Sequence, residues 1–375
     1  MMRAHAKRHS VCAGMTLPEL MVGLAVGLFV VAIAIATFVS TRTLNVVNSS
    51  STRMTENARL ATETLHTDLR AAGLSGCRPL ALREDPSFQP GFLQVAVNAD
   101  AGFITAGYSG IRGYSGTPGA TDPLTPHSPA LPAAVAAKAV NRLPDSDIIS
   151  VRVPADTVAL GLVSAMATKT SSPQLEAGAA GNAIVTGDVV LISSCKAAAL
   201  FQVTSANPAV SGVLAHDAGG AWPGNATTDL GLAFGSDATV NRMVTRHYYV
   251  AQSVLRPGTN SLWRLQVPAE PGDAQPTPRE VASGIDQLRV TYGFDTNTPV
   301  DFSVNEYRKA ADIGAAAADW DRVLSVRLEM IAATAEDRMS HSNQRYRFDG
   351  GVVAAGDRRL RMVLTELVTL RNMSP

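Results

Sequence analysis

A run of twenty residues without a charge lies near the start of this 375-residue chain. It extends from Leu20 to Val39 and reads LMVGLAVGLFVVAIAIATFV. As a helix it would be about 30 Å long, the thickness of the apolar core of a bilayer. Arg3, Lys7 and Arg8 precede it, and basic residues beside a membrane helix stay in the cytoplasm. The run therefore predicts one membrane helix, with the chain after Ser40 on the far side of the membrane.

An acidic residue, Glu19, stands directly before this run. A lone carboxylate at the edge of a membrane helix is costly, so it needs a partner. If the chain were cut after Gly14, Met15 would gain a free α-amino group, and in a filament that amine can pair with Glu19 of a neighbouring subunit. Thr16 and Glu19 also have the spacing of a capping box, with Pro18 in the first turn of the helix. The pairing role and the capping role are compatible.

The segment Gly14-Met15-Thr16-Leu17-Pro18-Glu19 resembles the cleavage and methylation motif of type IV prepilins. The resemblance implies that a prepilin peptidase cuts after Gly14 and that Met15, the new N-terminus, is methylated. It also implies that Glu19 aids assembly of the fibre. The sequence departs from the family at Met15, where phenylalanine is usual, and at Pro18. Methionine keeps the apolar character of the site.

Two other interpretations of the N-terminus stay open. The first is a secretory signal peptide, cut at a small-residue site such as Ala32-x-Ala34, with a mature chain that starts near Thr37. The apolar run is longer than the usual core of a signal peptide, and a carboxylate at its start is unexpected there. The second is a membrane anchor that is not cut at all, which leaves the prepilin-like motif to chance.

Apolar residues continue at helical spacing beyond the membrane run, and charged residues lie mostly between them. We expect an amphipathic half of the helix over residues 41–76, with stops at Gly73 and Gly76. A break in the polar stretch around Ser49–Ser51 is the alternative. The apolar positions are Leu44, Val47, Met54, Ala58, Ala61, Leu65, Leu69 and Ala72, and the charged ones include Arg53, Glu56, Arg59, Glu63, Asp68 and Arg70.

The rest of the chain has the pattern of β-strands, several of which alternate apolar and polar residues. No strand is followed by a regular helix, so we expect an α+β, pilin-like fold with the N-terminal helix on an antiparallel sheet that carries long loop insertions. Residues 98–142, rich in Gly, Ser, Ala and Pro, predict a flexible loop, and Pro268–Pro278 a turn or linker. The predicted strands are Asp147–Val153, Asp188–Ser193, Leu200–Thr204, Met243–Ala251, Ser261–Val267, Gln287–Phe294, Val323–Ala332 and Arg359–Leu370.

Several later segments, in this order along the chain, resemble the PilW family of minor pilins, which is related to the J-type pseudopilins of type II secretion. They are Ala72–Cys77, Ser194–Lys196 with Leu200–Val203, Gly284–Gly293, Trp320–Arg327 and Val368–Asn372. The resemblance implies a low-abundance subunit of the complex that initiates a type IV pilus or forms its tip. A J-like pseudopilin of type II secretion is the second hypothesis. A soluble periplasmic or surface binding protein with a cleaved signal peptide is the third.

The first hypothesis divides the chain into a leader peptide, a membrane-spanning half-helix, an amphipathic half-helix and a periplasmic β-rich domain. The boundaries are 1–14, 15–40, 41–76 and 77–375. The partners it implies are other minor pilins, the major pilin, the prepilin peptidase and an inner-membrane assembly platform. The protein would cross the inner membrane once, with its C-terminal domain in the periplasm, and would enter the pilus. An adhesive role of the segment 98–142 is a further possibility.

Two of the three cysteines, Cys77 and Cys195, would remain in the mature chain, because Cys12 precedes the cut. In a chain exported from the cytosol they predict one disulfide, and two unpaired buried thiols are the alternative. There is no Cys-x-x-Cys, which argues against redox catalysis and a zinc site.

No arrangement of residues supports an enzyme, a cofactor or a nucleic-acid partner. Lys plus Arg and Asp plus Glu both number 32, so the chain has no electrostatic reason to bind nucleic acid. Ser193-x-x-Lys196 lacks the partner motifs of penicillin-recognising enzymes, and the seven histidines lack metal-ligand spacing. The oxygen ligands over Asp295–Asp301 are compatible with calcium, but a hydrated turn is favoured because the EF-hand glycine and glutamate are missing.

Overall fold

A computed structural model describes most of the chain. Its residues form two compact units, Met1–Thr52 and Arg53–Pro375. The predicted leader, residues 1–14, and Cys77 lie outside the described residues. The described ranges are 15–74, 93–98, 109–139, 141–155, 158–178, 183–220, 223–267, 277–314 and 316–373.

The longest element is helix α1, which comprises the 55 residues Leu17–Ala71. The stretch Ser49–Ser51 is helical, so the break considered there does not occur. The helix ends where Gly73 adopts a φ of +75°, a left-handed conformation that glycine enters without strain. Asn372 Nδ2 donates a hydrogen bond of 2.8 Å to the carbonyl oxygen of Ala72. The C-terminal segment thus satisfies a carbonyl that the helix itself leaves unpaired.

In the first unit, the apolar side chains of α1 are exposed. Every large apolar side chain from Leu17 to Val39 is more than half exposed. The hydroxyl of Thr37 donates to the carbonyl oxygen of Ile33 at 2.9 Å, so this polar group is satisfied within the helix. Among the described residues, α1 is the one helix long and apolar enough to cross a membrane. It therefore fits a membrane anchor by its length and composition.

In the second unit, α1 buries one stripe of side chains against the β-structure. The members of the stripe recur three or four residues apart, the spacing that places them on one face of a helix. They are Met54, Ala58, Ala61, Leu65, Leu69 and Ala72. The prediction of an amphipathic half-helix packed on a sheet is confirmed from Met54 onward, whereas Leu44, expected on the same face, lies in the first unit and is 59% exposed. The second expected stop, Gly76, lies outside the described residues.

Four short helices and fifteen strands complete the described part of the chain. The helices are α2 Ala133–Lys138, α3 Pro208–Ser211, α4 Ala310–Ile313 and α5 Ala317–Trp320. The strands are β1 Leu93–Val95, β2 Ile111–Tyr114, β3 Ile148–Pro154, β4 Leu160–Gly161, β5 Val189–Ser193, β6 Ala198–Gln202, β7 Thr239–Gln252, β8 Asn260–Val267, β9 Thr277–Ser283, β10 Ile285–Phe294, β11 Glu306–Arg308, β12 Val323–Ala333, β13 Arg345–Phe348, β14 Gly351–Ala354 and β15 Arg361–Thr369.

The strands form a nine-stranded sheet, a four-stranded sheet and a hairpin. The larger sheet follows the order β1-β6-β5-β7-β3-β2, and β4, β8 and β9 extend it around β7. The smaller sheet has the order β11-β10-β12-β15, and β13 pairs with β14. All described pairings are antiparallel except that of β1 with β6, which is parallel. The fold is α+β and pilin-like, with a mixed rather than purely antiparallel large sheet.

The structure corrects the expectation of one long loop over residues 98–142. The described part of this segment contains strand β2 and helix α2, and both bury apolar side chains, Ile111 and Val135 among them. The expected turn at Pro268–Pro278 also overlaps the first two residues of β9. Composition misled in both places, because glycine and proline are depleted in strands on average but tolerated where packing needs them.

Gly113 explains why the sequence of β2 lacks a clear strand pattern. A Cβ atom at Gly113 would lie 2.1 Å from the hydroxyl oxygen of Tyr292, which is fully buried. Glycine is therefore required by the close approach of the tyrosine ring, although it weakens the strand pattern.

Replacing Gly113 with alanine is expected to lower the free energy of unfolding by about 1–3 kcal/mol, the usual cost of overpacking a core. Gly161→Ala is the matched control, since Gly161 also lies in a strand and an added methyl group there would have nothing within 4 Å. Denaturant unfolding of the two variants measures the difference. Equal stability of both variants would contradict the packing role of Gly113.

Candidate functional site

The N-terminal site is built around the first turn of α1. Glu19 Oε2 accepts hydrogen bonds from the backbone N–H of Thr16 at 2.9 Å and from its hydroxyl at 2.8 Å. The N–H of Leu20 donates to the carbonyl oxygen of Thr16 at 3.1 Å, which is the first bond of the helix. Glu19 therefore makes its half of a capping box, because the side chain returns to the residue that precedes the helix.

The second carboxylate oxygen of Glu19 has no hydrogen-bond partner among the described residues. Glu19 itself is exposed, as is Met15, which is 70% exposed. Capping by one oxygen thus leaves the other available to a cation from outside the chain. Gly14 lies outside the described residues, and the cut, the methylation of Met15 and the pairing of its amine with Glu19 stay predictions.

A buried polar cluster joins α1 to the large sheet in the second unit. Asp68 Oδ1 accepts a hydrogen bond of 2.7 Å from Arg246 Nη1, and Asp68 Oδ2 accepts one of 2.5 Å from the hydroxyl of Tyr248. Arg246 also donates through Nε to Gln266 Oε1 at 3.1 Å. Burial raises the pKa of Tyr248, and the negative charge of Asp68 acts in the same direction. The tyrosine therefore stays protonated and donates to the carboxylate.

Sequence reasoning grouped Asp68 with the polar residues between the apolar positions, whereas its side chain is 7% exposed. A signal was present in the sequence, since Asp68 lies three residues after Leu65 and seven after Ala61, on the buried stripe. An acidic residue on an apolar stripe indicates a buried partner. Its partners could not be named, because they are 178 and 180 residues away in the chain.

The segment Asp295–Asp301 forms a turn closed by its own backbone. Asp295 is buried, and its Oδ2 accepts hydrogen bonds from the backbone N–H groups of Asp301 and Phe302, each at 2.9 Å. Hydrogen bonds from Ser303 hold the pKa of Asp301 below its usual range. These oxygens already have donors, and no group of three or more acidic, His or Cys side chains suited to a metal occurs among the described residues. The turn interpretation is therefore favoured over a calcium site.

The Ser-x-x-Lys segment and His247 are parts of strands and turns. Ser193 is the buried last residue of β5, and the hydroxyl of Ser194 accepts from the backbone N–H groups of Lys196 and Ala197. His247 lies in β7, buried beside Ser150, whose hydroxyl is 2.5 Å from its Nδ1. These groups hold the local backbone and sheet together.

Cys195 follows β5 and is exposed. Cys77, the predicted partner, lies outside the described residues, so the pairing stays a prediction. We expect a proteolytic peptide pair joining Cys77 to Cys195 in non-reduced protein, which mass spectrometry detects directly. A bond from Cys195 to Cys12 or to a second chain would contradict it.

The C-terminal part of the chain matches a known protein family. The family described as type IV pilus-assembly protein W, PilW, matches residues 247–372. No curated protein and no solved structure matches the chain. The matched stretch is 126 of the 375 residues, begins within β7 and includes all of β8 to β15. It therefore contains the whole four-stranded sheet and the Asn372 side chain that caps α1.

Three of the segments whose resemblance to this family was noted in the sequence lie inside the match. They are Gly284–Gly293, Trp320–Arg327 and Val368–Asn372. Two of them meet in the core, where the rings of Tyr292 and Trp320 pack edge to face with centroids 4.9 Å apart. The match over residues 247–372 therefore supports a PilW-family type IV pilus protein.

Proposed function

We propose that this protein is a minor pilin, a low-abundance subunit that takes part in initiating and assembling type IV pili. The family match, which supports a role in type IV pilus assembly, is the observation that carries the proposal. The exposed apolar part of α1 adds to it, because side chains that find no cover within their own chain suit a membrane or a bundle of neighbouring helices.

In this proposal, the protein is first inserted into the inner membrane. Prepilin peptidase cuts after Gly14 and Met15 is methylated, and α1 then holds the protein while the C-terminal domain stands in the periplasm. An assembly platform and other pilins then receive the subunit. Glu19 recruits it by pairing one carboxylate oxygen with the amine of a neighbouring subunit, while the other oxygen caps the helix. The two oxygens allow both roles at once.

Deletion of the gene in a piliated host, with the full chain restored from a plasmid, tests the proposal. We expect few or no surface pili in the deletion strain, normal numbers after complementation, and small amounts of the chain in sheared pili relative to the major subunit. Normal piliation in the deletion strain would contradict the proposal. Recovery of the chain only with secretion components would instead favour the J-like pseudopilin.

A further inference from the structure

The last strand of the four-stranded sheet has one edge that no other described strand pairs with. β15 pairs with β12 on one side, and its register joins Val326 to Val368 and Ala333 to Arg361. Leu370 N donates to Leu324 O, and Thr334 N donates to Leu360 O, each at 2.9 Å. Because antiparallel hydrogen bonds alternate along a strand, the even-numbered residues of β15 bond to β12 and the odd-numbered ones direct their backbone groups away from it.

Among the described residues, cover for the outward groups of β15 is found at the start of the strand. The N–H of Arg361 donates to the side chain of Gln344. From Val363 to Leu367, no described residue pairs with the outward N–H and C=O groups. Leu367, on this stretch, is 54% exposed. An exposed strand edge with apolar side chains can pair with a strand of another chain. Monomeric proteins usually cover such edges or protect them with charged residues, proline or bulges.

A groove of about 510 Å³ lies along this edge, between α1 and β15 in the second unit. Met362 and Leu364 line the strand side of the groove and are only half-buried, so apolar surface is available. Arg59 and Glu63 line the helix side, and Glu366 lies at the far end of the strand side. None of these three charged side chains has an ion pair or a hydrogen bond with a described residue.

A single added strand could pair with the edge of β15 and fill the groove at the same time. An added strand would pair its backbone with Val363 to Leu367 and would place every second side chain in the groove. Apolar side chains would cover Met362 and Leu364. The two carboxylates, Glu63 and Glu366, outnumber the one guanidinium, so a basic side chain at one position of the strand gives the better charge match.

A second copy of β15 fits this requirement poorly. In antiparallel pairing about a two-fold axis, the residue of β15 on which the axis is centred fixes the residue opposite Glu366. For centres from position 363 to position 367, that residue is Leu360, Met362, Leu364, Glu366 or Val368, respectively. Each of these registers sets the carboxylate against an apolar side chain or a second carboxylate, so the strand that fits best comes from a different protein.

We propose that the open edge of β15 and its groove bind an extended strand of a neighbouring pilin-like subunit, one with alternating apolar side chains and a basic residue facing Glu63 and Glu366. The identity of the neighbour as pilin-like rests on the proposed function. The strand chemistry rests on the edge and groove alone.

The test is site-specific photo-crosslinking of the full chain in piliated cells, with p-benzoylphenylalanine in place of Leu367. We expect an adduct whose linked peptide, identified by mass spectrometry, is an alternating apolar segment with a basic residue in another subunit of prepilin type. The same probe in place of Val352, which is exposed on β14, is the control and should give no such adduct.

Thr365→Pro removes one outward N–H without touching the bonds to β12, and proline is tolerated at such edge positions. We expect it to lower the adduct yield by about tenfold or more, since an edge hydrogen bond is lost and the ring obstructs the incoming strand. Thr365→Ala, which keeps the N–H, should retain the adduct. Glu366→Lys leaves the backbone intact and should also lower the adduct yield. A lower yield in this variant cannot be caused by proline disrupting the fold.

Three results would overturn the proposal: an unchanged yield in Thr365→Pro, an adduct to a second copy of this chain, or no adduct in cells with normal pili. In each case the piliation assay of the deletion strain decides separately whether the pilus role stands. A protein that failed in both assays would lose the proposed function as well as the docking edge.

Discussion

Replacing Glu19 with alanine is expected to reduce the number of pili per cell while cleavage after Gly14 continues. The proposed pairing of the carboxylate with the amine of a neighbouring subunit occurs at the edge of the membrane, where an unpaired charge is costly. Loss of the carboxylate leaves that amine without its partner, so we expect a fall in piliation on the order of tenfold or more. Electron microscopy counts the pili, and an immunoblot that separates precursor from mature chain follows the cut.

Glu19→Gln separates the two roles of the side chain. Glutamine at this position of a capping box still accepts a hydrogen bond from the N–H of Thr16, but it carries no charge. If the charge recruits the subunit, Glu19→Gln and Glu19→Ala both lose pili. Normal piliation in Glu19→Gln with a defect in Glu19→Ala would assign Glu19 to helix capping alone, and normal piliation in both would remove its role in assembly.

Replacing Asp68 with alanine is expected to destabilise the second unit by about 3–5 kcal/mol, the cost of leaving one partner of a buried ion pair alone. Arg246 would keep its bond to Gln266 but lose the carboxylate that faces its charge, and the fully buried Tyr248 would lose the acceptor of its hydroxyl. Urea unfolding of the full chain in detergent, followed by tryptophan fluorescence, measures the change.

Two further variants serve as controls for the unfolding measurement on Asp68→Ala. Asp68→Asn keeps an oxygen for the Tyr248 hydroxyl and removes the charge that faces Arg246, so its loss of stability should be smaller than that of Asp68→Ala. Glu56→Ala removes an exposed carboxylate on the same helix and should shift stability by no more than about 0.5 kcal/mol. Equal stability of Asp68→Ala and Glu56→Ala would show that the buried cluster does not hold α1 to the sheet.

Local patterns were enough to predict the main elements of the fold. The charge-free run and the spacing of Ala58, Ala61 and Leu65 predicted α1, because residues three or four positions apart lie on the same face of a helix. Likewise the alternation of Leu288, Val290 and Tyr292 predicted β10, and all three side chains are buried in the core against α1.

Features set by distant partners were not predictable. Gly113 looks like a loop residue until Tyr292 is placed beside it, and Asp68 looks like a surface charge until Arg246 and Tyr248 are placed beside it. The parallel pairing of β1 with β6 likewise depends on where separated segments meet. The same holds for the open edge of β15, since alternation reveals the faces of a strand but not whether a neighbour covers its edge.

The N-terminal site was predictable in its chemistry and only partly in its geometry. The capping spacing of Thr16 and Glu19 is visible in the sequence, and the carboxylate of Glu19 accepts hydrogen bonds from both the backbone N–H and the hydroxyl of Thr16. A partner in another subunit cannot be read from a single chain. The recruitment role of Glu19 therefore remains a proposal, to be tested in the assembled fibre.

The mass of the mature N-terminal peptide tests the central claim most directly. Protein purified from the membranes or pili of the native host is digested, and the first peptide is sequenced by mass spectrometry. We predict a chain that begins with N-methylated Met15, directly after Gly14. A chain that begins near Thr37 would contradict this prediction, because the apolar run would then be a discarded signal peptide and the membrane-spanning part of α1 would be missing from the mature protein.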